Sequence, residues 1–248
     1  MKVERTELED AYEVLEVAGG EAPVVLSCEH ASVRLPEGWA WPREDAWLVG
    51  THWSYDIGAA ELTWDCAKAL GALAVLSRFS RLLCDPNRDL DSATLFRAHA
   101  EGRDVTLNGA IDDAERGRRL AACYTPYHAR FDAAVAARPG ATLLSVHTFT
   151  PIYDGQARDL EVGVLFDLDE GLAQAIAASL SAAGVKAVLN EPYSGQAGMM
   201  FAAQRHAERH ERRAVELEVR QDLAGSPAWR GRFAGVLRWT LEQVLSGE

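Results

Sequence analysis

Residues 23–30 read Pro-Val-Val-Leu-Ser-Cys-Glu-His, an apolar, β-branched run that ends in a carboxylate and an imidazole before the chain turns through Ala31-Ser32. A short run of this kind reads as a buried strand. Similar runs recur at 72–76, 142–146, 161–166, 186–189 and 214–219. Between several of them lie long alanine-rich stretches, 56–70, 112–137, 169–183 and 228–245, with apolar residues at three- and four-residue spacing. Asp stands at or near three of those four starts, where helix caps belong. The alternation predicts an α/β fold. The first twenty residues have helical spacing and end at Gly19-Gly20, so a peripheral segment ahead of the core is expected. With no repeat, linker or break in composition, residues 1–248 read as a single α/β domain.

The 248 residues suffice for a full core, burying roughly 70–75% of the unfolded surface. Hydrophobic residues at 48% and charged residues at 25% are ordinary for a globular chain and argue against disorder. With 25 Lys and Arg against 37 Asp and Glu, the net charge of -12 excludes a polyphosphate backbone as the expected partner. No apolar run approaches the roughly 20 residues of a membrane span, and the amino terminus is too acidic for a signal peptide, so a cytoplasmic location is expected. Cys28, Cys66, Cys84 and Cys123 form no CxxC pair and read as buried, reduced thiols.

Loops that follow the carboxyl ends of strands carry the ligand site of an α/β sheet. Two stretches, 31–51 and 89–111, are neither helical nor strand-like, and both follow expected strands. His30 ends one strand, and His147, in Leu144-Ser145-Val146-His147-Thr148, ends another. Two histidines at two strand ends can converge on zinc, and a catalytic zinc takes a third protein ligand. Asp56, at the start of a helical stretch, is the candidate, although a plain helix N-cap would also place an Asp there. Asn87 and Arg88, in Ser80-Arg81-Leu82-Leu83-Cys84-Asp85-Pro86-Asn87-Arg88, point to an anionic substrate, because an arginine fork binds a carboxylate through two parallel hydrogen bonds. The competing reading pairs Asp85 with Arg88 on a surface turn. Glu216 and Glu218 share one face of an expected strand, where a carboxylate beside activated water can serve as general base. His206 and His210 have the spacing of a shared metal site, but the Glu of HExxH is absent, so a solvated charged helix face is expected there.

CEHAS with its downstream Pro36, then THWSYDIGA, SRLLCDPNR, YTPYH, SVHTFTP, NEPYSG and LEVRQDL, follow one another from about residue 24 to 223. In that order they resemble the N-formylglutamate amidohydrolase family. The resemblance implies a three-layer fold of the phosphorylase/hydrolase type, with a mixed central sheet flanked by helices, similar to zinc carboxypeptidases and aspartoacylase-like deacylases. It implies that His30 and His147 are the first and last zinc ligands, and that Asp56 opens the helix that bears the carboxylate ligand. Glu29 competes for that place; adjacent strand residues point to opposite faces, so Asp56 is preferred unless the strand has already ended. The resemblance further implies that Asn87 and Arg88 hold a substrate carboxylate, Arg81 helps polarise the scissile carbonyl, Glu218 is the base and Tyr193 lines the pocket. CEHAS and HTF stand where members of the histidine-degradation pathway read closer to SHSG and HSM, so amidase chemistry is better carried than formylglutamate as its substrate. The expectation is zinc-dependent hydrolysis of an N-formyl or other N-acyl amino acid, a small acidic molecule, with neither nucleic acid nor membrane as partner. The rival is a non-catalytic sensor that binds such a metabolite in the same pocket.

Overall fold

In the computed structural model, which describes residues 3–246, the amino-terminal residues depart at once from the helical spacing. Val3–Leu8 and Tyr12–Val17 are strands β1 and β2, an antiparallel hairpin at one edge of the main sheet. Helical spacing loses here because the β-branched Val14 and Val17 and the neighbouring Leu15 are buried, and β2 pairs through Val14 with Val75 and through Leu15 with Ala74. Charged side chains such as Arg5 and Glu7 on β1 suit an exposed edge.

The other strands are β3 (Val24–Cys28), β4 (Leu73–Ser77), β5 (His99–Ala100), β6 (Arg103–Asp104), β7 (Thr142–Phe149), β8 (Ile152–Tyr153), β9 (Gln156–Ala157), β10 (Val162–Leu165), β11 (Ala187–Leu189) and β12 (Ala214–Arg220). The helices are α1 (Ala59–Leu70), α2 (Asp113–Arg119), α3 (Thr125–Ala136), α4 (Glu170–Ala182), α5 (Phe201–His210), α6 (Gln221–Ala224) and α7 (Pro227–Ser246). Eight strands form one mixed sheet in the order β1-β2-β4-β3-β7-β12-β10-β11, with β5-β6 and β8-β9 as separate small ribbons. The neighbours β4, β3, β7 and β12 are parallel, while β2 and β10 run against them.

The pleat sorts side chains into two cores. Leu26, Leu144, Val146, Val215 and Leu217 face α1, α4 and α7, whereas Val25, Val75, Leu143 and Ala214 face α3 and α5. The result is the expected three-layer α/β arrangement of a mixed sheet between helices. Of the Asp residues at helix starts, Asp112 caps α2 by accepting from the amide of Glu115 at 2.7 Å. The helical stretch read at 112–137 is broken by a π turn, Leu120–Tyr124, just ahead of Pro126, which has no N–H to continue the ladder. All four cysteines are free and buried, and no described helix is long and apolar enough to cross a membrane.

Candidate active site

The carboxyl ends of the four parallel strands lie together at one end of the sheet's middle, where the chain leaves β3 for β4 on one side and then crosses to β7 on the other. This is a switch point, where open α/β sheets hold ligands. Ser77, at the end of β4, donates to the carbonyl of Glu29 at 2.6 Å and accepts from the amide of Ala31 at 3.2 Å, which turns His30 off the strand. The Asp56 amide then donates to the His30 carbonyl at 2.9 Å, closing the long intervening loop. Asp56 is therefore beside His30 through backbone pairing, and it caps nothing. The cap position of α1 is Gly58, at φ 84°, where a Cβ would stand 2.9 Å from the backbone of Ala224.

His147 projects from β7 toward the α3 side, and Asp56 Oδ2 lies 2.8 Å from its Nδ1 and 3.4 Å from His30 Nδ1. The two imidazole rings stand edge to face at 4.6 Å. Each far nitrogen is held from behind: His30 Nε2 meets Asp85 Oδ1 at 2.8 Å, and His147 Nε2 meets Glu29 Oε2 at 2.9 Å. Glu29 also accepts from Ser145 at 2.6 Å and Tyr127 at 2.9 Å. One atom each from His30, Asp56 and His147 lie within 4.8 Å of one another, a trio that could hold a metal. His30 Nδ1 is buried without a hydrogen-bond partner on that inner face. Asp56 thus stands between the two Nδ1 atoms, and Glu29 stands behind His147.

Arg81 bridges Asp56 Oδ1 at 3.2 Å and Asp85 Oδ2 at 3.1 Å. Arg88 does not pair with Asp85. It donates to Thr94 Oγ1 at 3.2 Å and to the Asn87 carbonyl at 2.7 Å, and lines the cavity with no carboxylate in ion-pair contact among the described residues. The Asn87 amide is engaged, donating to the Met199 carbonyl at 2.9 Å and accepting from the Ala202 amide at 2.8 Å. The register Glu218↔His147 and Glu216↔Ser145 puts both glutamates on the His147 face. Gly163 opposes Glu218 on β10, and a Cβ there would collide with the Glu191 carbonyl at 1.9 Å. Tyr193 lines the same cavity.

The cavity has a volume of about 280 Å³, and His52, Trp53, Arg97 and Tyr153 line it besides the expected residues. Arg97 lies over the Trp53 ring at 5.5 Å. His52 and Trp53 belong to the THWSYDIGA stretch, but nothing in the spacing of the 89–111 loop marks Arg97. One reading fails: His206 is buried, 2% exposed, and packs on His128 inside the protein, so its helix face is not solvated.

Electrostatics follow from five buried carboxylates around two histidines and Arg81. Burial works to raise Glu29, but the hydrogen bonds from His147 and Ser145 outweigh it and hold its carboxyl at about 2. Burial likewise opposes ionisation of Asp56 and Asp85, yet His30 and, respectively, His147 and Arg81 keep both below the ordinary range. Burial, reinforced by the charges of Asp56 and Glu216, pushes Glu218 well up, and its Oε2 is buried with no partner. Burial pushes Glu216 to about 7. The arrangement brings together two imidazoles and a carboxylate that could hold a metal ion, a buried carboxyl beside them, and two guanidinium groups, Arg88 and Arg97, with no carboxylate partner among the described residues.

The family profile described as N-formylglutamate amidohydrolase matches residues 22–224. The chain is 29% identical to N-formylglutamate deformylase from Pseudomonas aeruginosa, over 94% of this chain and 95% of that protein. Among solved structures, gene product Atu2144 from Agrobacterium tumefaciens superposes with a TM-score of 0.86 at 31% identity, covering 96% of each chain. N-formylglutamate amidohydrolase from Ralstonia eutropha shares the fold, with a TM-score of 0.76 at 18% identity over 96% of this chain and 100% of that one.

Proposed function

Because the chain belongs to the N-formylglutamate amidohydrolase family, we propose that it hydrolyses an N-formyl amino acid to formate and the free amino acid, with zinc held by His30, Asp56 and His147. The observation that carries the metal is the shared inner face: two Nδ1 atoms and one carboxylate converge, each imidazole has a carboxylate behind it, and His30 Nδ1 is buried without a hydrogen-bond partner. Neutral imidazoles and a carboxylate, each imidazole oriented by an outer carboxylate, are the donor set of a catalytic zinc site. Zinc bound there supplies Lewis acidity toward the carbonyl and brings the pKa of water toward about 7.

The chain's own groups do the rest. Glu218 in its ionised form, which the two positive charges of a bound zinc would favour against the neighbouring carboxylates, accepts the proton of the attacking water and delivers it to the leaving nitrogen as the C–N bond breaks. Arg81, fixed by Asp56 and Asp85, stabilises the negative charge on the carbonyl oxygen. Arg88 takes the α-carboxylate, and Asn87, tied to Met199 and Ala202, holds Arg88 in place. Arg97, a second guanidinium lining the cavity without a carboxylate partner among the described residues, suits the side-chain acid of N-formylglutamate. Tyr193 forms part of the wall.

Formate release from N-formylglutamate, before and after chelation, tests the reading. Chelation should abolish turnover and zinc restore it. Glu218→Gln should retain zinc while kcat falls by roughly a hundredfold or more. Near-normal turnover in Glu218→Gln would remove Glu218 as base, and a metal-free protein that binds N-formylglutamate without cleaving it would make the chain a sensor.

A further inference from the structure

His128 on α3 and His206 on α5 are buried behind the pocket and take no part in the steps above. Their ring nitrogens form a line of contacts. His128 Nε2 lies 3.0 Å from the Pro86 carbonyl, His128 Nδ1 lies 3.0 Å from His206 Nε2, and His206 Nδ1 lies 3.3 Å from Asp132 Oδ1. Three contacts need three N–H protons, and two neutral imidazoles carry two. Burial pushes both rings toward the neutral form, His128 to about 3 and His206 to about 4; Arg205 acts in the same direction on both, against Glu29 and, at His206, Asp132. One contact therefore lacks a proton. Asp132 needs His206 least, because it also receives His210 Nε2 at 2.9 Å and Arg209 Nε at 3.3 Å. The Pro86 carbonyl, by contrast, sits in a buried turn where an unpaired acceptor is costly. Leaving the longest contact, His206 to Asp132, without a proton closes the count, and it puts the proton of each ring on Nε2.

Pro86 lies between two residues that matter to the site: Asp85 backs His30, and Arg88 faces the cavity. One helical turn before His128, Tyr124 donates its hydroxyl to the Arg88 carbonyl at 3.0 Å, so the π turn and α3 together grip two alternate carbonyls of this segment. We propose that His206 and His128 are positioning residues for substrate binding: a donor chain from His206 through His128 holds the Pro86 carbonyl and so sets Arg88 where the substrate carboxylate lands. The role assigned to Arg88 rests on the hydrolase reading; the donor chain does not.

Removing the donor to His128 Nδ1 should loosen substrate binding and spare the chemistry. In His206→Ala, KM for N-formylglutamate should rise about tenfold, with kcat within about threefold of wild type and zinc content unchanged. His206→Gln, which keeps an N–H of similar reach, should bring KM back to within about threefold. His206→Asn, polar but too short to reach His128, should show the same rise as His206→Ala and replaces it if that variant does not fold. Nitrogen-15 NMR of the imidazoles should report neutral, Nε2-protonated His128 and His206 at pH 7, a readout independent of turnover. An unchanged KM in a folded His206→Ala or His206→Asn protein, loss of kcat in step with zinc, or an Nδ1-protonated His128 would each overturn the proposal. A wild-type protein that releases no formate, yet shows the expected NMR signature, would defeat the hydrolase reading and leave the donor chain standing.

Discussion

Arg88 illustrates how much one side chain's partner decides. In the sequence it stood three residues from an aspartate that could have neutralised it, but Asp85 is committed to His30 and Arg81, and the Arg88 guanidinium faces the cavity. A planar fork binds a carboxylate through two hydrogen bonds, whereas an ammonium offers a point charge. Arg88→Lys should therefore raise KM strongly and Arg88→Ala more so, lowering kcat/KM tenfold to a hundredfold, equivalent to about 1.5–3 kcal/mol for a charged hydrogen bond, with zinc content intact. Equal cleavage of free-acid and amidated substrates by the wild type would refute that role. Asp56 and Glu29 make the same point. Both are buried carboxylates near His147, and the residue types alone left the choice between them open; the Asp56 amide bond to His30 and the Glu29 bond to the far nitrogen of His147 separate a candidate ligand from a group that orients one.

At the level of elements, α5 shows what periodicity leaves out. The run RHAERHERR reads as a charged helix, and its first six residues close α5 at His210, but the His206 side is covered by α3, so a histidine read as solvated sits between His128 and Phe131. Burial has a consequence for stability. Both imidazoles titrate lower in the folded protein than the ordinary 6.5, so the folded state binds fewer protons than the unfolded chain. The stability they contribute is complete above about pH 6.5 and is lost as pH falls toward 4. Between pH 6.5 and 5 the wild-type Tm should therefore fall relative to that of His206→Gln, a difference in which the opposing proton uptake of Glu216 cancels. Parallel Tm profiles for the two proteins would show that His206 takes up protons in the fold as it does in the unfolded chain, with no lowered pKa. The amino-terminal hairpin is the opposite case: spacing read as helical was overruled because β4 offered β2 a backbone edge and a place to bury Val14.

For the molecule as a whole, the site concentrates negative charge in its interior. Glu29, Asp56, Asp85, Glu216 and Glu218 are all buried, against Arg81 and two imidazoles. A dication bound to the folded chain alone stabilises it by mass action, about 4 kcal/mol at a thousandfold excess over Kd, which for a chain of this length is roughly 8–16 °C in Tm. Chelation should lower Tm on that scale, and zinc should restore it; a Tm indifferent to chelator would show that this cluster holds no stabilising metal. The sequence by itself determined the α/β alternation, most helix positions and the residue types gathered at strand ends, because periodicity and caps are local and repeat along the chain. The ordered motifs also carried the family. Only the tertiary structure decided that Asp56 faces both histidines, that Arg88 has no carboxylate partner among the described residues, that Arg97 reaches the cavity from a patternless loop, and that His206 is covered. Each of these depends on which segments pack side by side across tens of residues, and no local spacing encodes a side chain's partner.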